Sequence, residues 1–115
     1  MLFRSARYVA FHLSSGATAR GYLKRNTVDL LHKPHPGEEG AFGWFLLPAE
    51  ENGIGLPILW HDGSNKYWYA AIFMVPDERH GLAFVCNAYQ DSLVDPRSGV
   101  IAALEELYIN WLSPP

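Results

Sequence analysis

Three apolar, β-prone runs follow one another between Leu56 and Ala88, parted only by short polar turns: "LPILWHDG", "KYWYAAIFMV" and "LAFVCNA". Connections this short cannot hold a crossover helix, so successive strands must run antiparallel. An earlier run, Ala41–Leu47 ("AFGWFLL"), is aromatic and reads as a further strand. Asn52-Gly53 in the following "PAEENGIG" is a hairpin signal. Pro57 stands near the start of its strand, and "PDERHG" is a polar turn. "LAFVCNA" is apolar almost throughout, which suits a central or doubly covered position. These features predict an antiparallel sheet of about four strands.

Helical patterns flank the sheet. In "SARYVAFHL", Ser5 is a candidate N-cap and Ser14-Ser15-Gly16 a stop signal. Asn26 or Thr27 is placed to cap a short helix holding Val28, Leu30 and Leu31, which Pro34 and Pro36 end. Near the C-terminus, Asp95 is placed as an N-cap with Pro96 at the first helical position. Val100, Ile101, Leu104, Leu107, Tyr108, Trp111 and Leu112 then recur at three- and four-residue spacing, leaving Glu105, Glu106 and Asn110 off the stripe. The order is helix, helix, strands, helix. That predicts an α+β fold with two N-terminal helices and a C-terminal helix packed on one face of the sheet.

At 115 residues the chain is expected to form one domain, 1–115. Its net charge of -3 argues against non-specific nucleic-acid binding, which needs a basic surface. No run approaches the ~18 apolar residues of a membrane span, so no membrane partner is expected. Met1-Leu2-Phe3-Arg4 begins no apolar signal core, so the default compartment is cytoplasmic; export stays open for a longer parent chain. The single cysteine, Cys86, allows no internal disulfide, and no cofactor motif is present.

Four groups of residues could carry chemistry. His61-Asp62-Gly63 reads either as a strand-end turn or as one wall of an active site. His32 and His35, in "HKPH", have metal-compatible spacing, but zinc needs three or four ligands. They read as solvated loop histidines, and no metal site is expected. Cys86 reads as a small core hydrophobe. Trp44, Trp60, Trp68 and Tyr69 form either an aromatic binding wall or part of the core.

The order of these pieces resembles the C-terminal part of the serine β-lactamase-like superfamily, in particular its class C β-lactamase, D-alanyl-D-alanine carboxypeptidase and esterase group. The resemblance rests on "SARYVAFHL", "LKRNTVDLLHKP", "FGWFLLP" and "WHDGSNKYWYAAIFMVPDERHGLAFVCNA", then a terminal helix, and covers nearly the whole chain. Ala41-Phe42-Gly43-Trp44 stands where the family has a Gly-x-Gly-Trp-like strand and keeps its last two residues. His61-Asp62-Gly63 fits the slot of the family's His-x-Gly or Lys-Thr-Gly triplet, Pro76–Gly81 its following hairpin tip, and Asn87 the end of its next strand. The resemblance implies a partial β-lactamase/transpeptidase-like fold. It also implies a substrate-binding wall made of His61, Asp62, Gly63 and Ser64. His61 would hydrogen-bond toward substrate or the family's catalytic tyrosine-lysine cluster, and, were a partner chain to supply the serine, its protonation near pH ~6.5 would shape the pH profile. Gly63 would let an acyl group approach the backbone, and the Ser64 N–H would form half of an oxyanion hole.

The family's nucleophile is missing, since no Ser-x-x-Lys occurs; Ser5, for example, is followed three places on by Tyr8. Tyr108-Ile109-Asn110 matches the family's Tyr-x-Asn letters but follows the triplet instead of preceding it, a coincidence. The resemblance therefore implies the C-terminal portion of an acyl-serine hydrolase, inactive alone. It further implies that Leu82–Ala88 is an open edge, to be hidden in a homo-oligomer or by a complementing chain. A small acyl- or peptide-binding module and a structural subunit that completes a partner enzyme are the alternatives.

Overall fold

Five antiparallel strands form one sheet in plain sequential order, β1-β2-β3-β4-β5. They are β1 (Gly40–Ala41), β2 (Trp44–Leu47), β3 (Ile58–Ser64), β4 (Tyr69–Val75) and β5 (His80–Cys86). The three helices are α1 (Leu2–Leu13), α2 (Arg25–Leu31) and α3 (Val100–Trp111). The computed structural model describes residues 2–14, 23–38 and 40–112. Among them no helix is long and apolar enough to cross a membrane.

The count of five replaces the expected four because "GAFGWFLL" folds back on itself. Gly43 takes a φ of +81°, a left-handed conformation that costs glycine little. It closes a turn with Phe42 and pairs Ala41 with Trp44. The next connection, residues 48–57, is not the two-residue hairpin that Asn52-Gly53 suggested. The Asn52 amide instead organises a longer loop from within. Its NH2 group donates to the carbonyls of Pro48 (2.6 Å) and Leu56 (2.9 Å), and its Oδ1 accepts from the N–H of Ile54 and Gly55. The Gly53 N–H donates to Glu105 of α3, so Glu105 ties this loop to the helix.

Side-chain alternation gives the sheet two buried faces. On one, Trp44, Leu59, Ile72 and Met74 pack with Val9 of α1. On the other, Ile58, Tyr69, Ala71, Phe73 and Val75 pack with Val100, Ile101, Leu104 and Tyr108 of α3. β4 serves both faces, which explains its nearly continuous apolar run, buried at every position but Ala70. Where α1 crosses β5, a Cβ on Gly81 would overlap the Val9 side chain; the absence of one lets the helix approach. β5 is half-buried throughout and lies at the margin of the sheet, so its apolar composition, which suited a central or doubly covered position, does not place it centrally. His80 and Gly81 belong to this strand, while Pro76–Glu78 and a left-handed Arg79 make the turn.

Each expected helix start moves. α1 already begins at Leu2, so Ser5 lies inside it, on the sheet-facing stripe with Val9 and His12. α1 ends at Leu13, where the Ser14 hydroxyl donates to the Phe11 carbonyl; Ser15 and Gly16 lie outside the described residues. α2 starts after Lys24 without a side-chain cap, placing Asn26 and Thr27 in its first turn. Of its apolar residues Val28 is buried, whereas Leu30 is exposed. Asp95 caps a separate turn: it accepts from the Arg97 N–H and the Ser98 hydroxyl, and α3 begins only after Gly99. The apolar stripe of α3 is also narrower than its sequence suggested, for Leu107 and Trp111 face solvent.

Candidate functional site

His61, Asp62, Gly63 and Ser64 lie on β3, at its C-terminal end, so the plain-turn reading of the triplet is corrected. The turn is Asn65–Trp68. The Asn65 side-chain oxygen accepts from the N–H of Tyr67 and Trp68, and Lys66 takes a left-handed φ of 70°. The Ser64 hydroxyl accepts from the Lys66 N–H and donates to the Trp68 carbonyl, both at 2.8 Å. That hydroxyl is committed to holding the turn and is no free nucleophile.

Alternation sends His61 and Gly63 to the α1 face and Asp62 and Ser64 to the α3 face. Beside His61 and Gly63 stand Ile72 and Ala70 of β4, then Ala83 and Val85 of β5. α1 covers only part of this face. The remainder forms an open cleft of about 900 Å³, whose lining includes Ser5 from α1 and Trp68 from the turn. The floor combines Gly63, Ala70 and Ala83 with Ile72 and Val85, and a Cβ placed on Gly63 would meet nothing within 4 Å. Trp68 is 54% exposed beside this space, while Trp44 and Tyr69 are core residues and Trp60 is half-buried. The four-membered aromatic wall therefore reduces to one exposed tryptophan.

Behind His61 lies a ring cluster that joins α1, α2, β2 and β3. Trp44 sits at its centre, one step along the ladder from the Phe45–Trp60 pair, which puts it across from His61. Its ring centroid is 4.8 Å from that of His61, 5.0 Å from His12 and 6.0 Å from both His32 and Tyr8. His12 Nδ1 and His32 Nε2 share a hydrogen bond of 2.8 Å, so one ring carries the proton and the other accepts it. Burial, with His32 and then His61 close by, holds His12 down at about 4. Burial also lowers His32 against the pull of Asp29, and lowers His61 against the pull of Asp62. At neutral pH all three imidazoles are uncharged. The expected His61 titration near pH 6.5 is thus displaced downward.

The Asp62 carboxylate is engaged from the α3 face. It accepts a 2.7 Å hydrogen bond from the hydroxyl of Tyr69, a residue 1% exposed. Burial first, and this bond second, raise the Tyr69 hydroxyl well above its usual range. All four residues of the expected wall line the cleft, His61 and Gly63 on the α1 face, while the Asp62 carboxylate is engaged by Tyr69 and the Ser64 hydroxyl by the turn. Tyr69→Phe should lower stability by about 1–2 kcal/mol, the cost of a partly buried carboxylate losing its donor. Chemical denaturation measures it, and an unchanged midpoint would mean that water replaces the hydroxyl without loss.

No family model, curated protein or solved structure matches this chain. The site must be judged on its own geometry. His32 does not lie in solvent as expected but is half-buried against His12, while His35 packs edge-on against Phe42. Cys86 is half-buried on β5, its thiol directed to the Ala88 carbonyl. Among the described residues no three His, Cys, Asp or Glu side chains are grouped to hold a metal ion. Sequence reasoning missed His12, Ser5 and the floor residues Ala70, Ala83 and Val85. The β3–β4–β5 register reveals the floor residues, and the packing of α1 on the sheet reveals Ser5 and His12.

Proposed function

We propose that this chain forms the substrate-side wall of an acyl-serine hydrolase of the serine β-lactamase-like group, acting on a β-lactam, a D-alanyl-D-alanine peptide or an ester. Its nucleophilic serine comes from another polypeptide segment. The observation that carries this reading is the display of the His61–Ser64 end of β3 beside an open cleft. At Gly63 an acyl group can lie against bare backbone. The Ser64 N–H would then donate to the developing oxyanion, where one such donor contributes ~3–4 kcal/mol to the transition state. His61, neutral and packed against Trp44, offers a fixed hydrogen-bonding edge to the bound group. Acyl transfer also needs a hydroxyl with a base beside it, and no Ser-x-x-Lys is present.

Titration of the chain with a penicillin or with D-alanyl-D-alanine should quench Trp68 fluorescence without turnover. Gly63→Val, which has room in the fold, should weaken that binding roughly tenfold by blocking backbone approach, about 1.4 kcal/mol. Binding of neither probe would overturn the reading. So would hydrolysis of a chromogenic cephalosporin by the chain alone, lost in His61→Ala, because the nucleophile would then be internal. A second reading, an autonomous ligand-binding module, is favoured by the exposed Trp68 on the cleft. It differs in outcome: Trp68→Ala would abolish binding and Gly63→Val would leave it intact.

A further inference from the structure

We propose that β5 pairs antiparallel with β5 of a second copy of this chain, about a two-fold axis through Ala83, making one continuous sheet across two chains. No described strand lies beyond β5, and alternate residues of an edge strand point their N–H and C=O groups outward. Edges of this kind are normally guarded by charge, proline, a bulge or shortness. The opposite margin is guarded by shortness, because β1 has only two residues. β5 has seven, all in unbroken register with β4 from His80 to Cys86, with no proline and no Asp, Glu, Lys or Arg.

The same residues are self-complementary. With the axis at Ala83, Ala83 meets itself, Leu82 meets Phe84, and Gly81 meets Val85. Small faces small on the α1 side, and Leu packs on Phe on the α3 side. The chain's net charge of -3 is carried elsewhere, so no like charges oppose one another along this ladder.

A second copy fits better than an isolated peptide because of α1. That helix packs over Gly81 through Val9 and Leu13. Across the axis Gly81 stands opposite Val85, so the second copy's α1 arrives beside Val85, at the β5 end of the apolar cleft. Stable dimers bury on the order of 1,200–2,000 Å². The paired edge supplies part of this, and the helix against the cleft floor adds to it. The cleft would then be closed on one side by the partner copy. This inference does not depend on the hydrolase reading, and its test uses no substrate.

Sedimentation equilibrium of the whole chain should show a reversible dimer, and amide exchange at those alternate β5 residues whose N–H groups point outward should slow as concentration rises. Ala83→Lys has room because Ala83 lines the cleft. It sets two ammonium groups on the axis and should weaken the dimer roughly tenfold or more. In a Cys86→Ser background, Ala83→Cys should form an interchain disulfide on mild oxidation, while Val85→Cys, facing Gly81, should not. A monomer at every concentration overturns the proposal. So does a dimer that Ala83→Lys leaves intact, or that Val85→Cys cross-links in preference to Ala83→Cys.

Discussion

Trp44→Ala should lower the stability of this protein by about 3–5 kcal/mol, a large share of the ~5–15 kcal/mol typical of a folded domain. Trp44 is 2% exposed and is packed with Val9, Leu59, Ile72 and Met74. It also touches the rings of Tyr8, His12, His32 and His61. Removing the indole takes away the common surface against which two helices and two strands are set. The loss therefore includes a cavity as well as the transferred area. Phe45 provides the comparison. It is the next residue on the same strand but 47% exposed on the other face, and Phe45→Ala should lower stability by less than about 1.5 kcal/mol. Urea denaturation followed by circular dichroism at pH 7.5 measures both variants. A larger loss for Phe45→Ala than for Trp44→Ala would mean that β2 is set with the opposite face inward. Trp44→Ala should also move the His61 proton resonances, because His61 loses the ring it packs against.

The importance of Trp44 is invisible from its surroundings in the sequence. "FGWFLL" offers two aromatics and two leucines in a row, so the run indicates strand but not which face is buried. The face is decided by the turn at Phe42-Gly43 and the Phe45–Trp60 register, both of which depend on tertiary pairing. Strands β3, β4 and β5 were far easier to read. Their turns are short and their apolar runs are long; β4 falls wholly within its expected segment, whereas β3 runs one residue past its own, to Ser64, and β5 starts two residues early, at His80. Capping and hairpin signals misled for one recurring reason. Asn52 and Asp95 both bind nearby backbone, and such bonds stabilise a loop or turn as readily as a helix end or a hairpin. Asp95 with Pro96 has the composition of a helix start, yet the chain spends that signal on a turn before Gly99.

The candidate site was legible only along β3. His61 and Gly63 stand two apart, so a strand sends them to one face, and the structure places both beside the cleft. Asp62 lies between them and must face the other way, which accounts for its bond to Tyr69. The groups supporting His61 from behind were not legible. His12 and His32 are 20 residues apart, one on α1 and the other just past the end of α2, and neither spacing nor composition announces their hydrogen bond. Metal-like spacing drew attention to His32 and His35 together, whereas the fold separates their roles.

Lowering the pH from about 7 to about 4 should reduce stability by roughly 2 kcal/mol through this histidine cluster, once solvent screening is allowed for. The direction follows from the proton balance. Unfolded, His12 takes a proton near its ordinary 6.5; folded, burial and the neighbouring His32 and His61 hold that event down at about 4. Between these values the unfolded chain binds more protons, so stability falls as pH falls and the loss levels off below pH 4. His32 and His61 are lowered too and add to the slope, each moderated by an acidic neighbour, Asp29 and Asp62 respectively. Carboxylate protonation enters mainly below about pH 4.5, so the window from 6.5 to 5 isolates the imidazoles. Denaturation midpoints across that window measure the effect. His12→Gln keeps a hydrogen-bonding partner for His32 but cannot titrate, and should flatten the slope there. A slope unchanged in His12→Gln would place the acid-sensitive group elsewhere. A charged His12 lacks room for hydration at the point where α1 meets Trp44, so acid should loosen this helix before it melts the sheet. Amide exchange in α1 should therefore quicken at a higher pH than exchange in β4, whose residues pack against α3 as well.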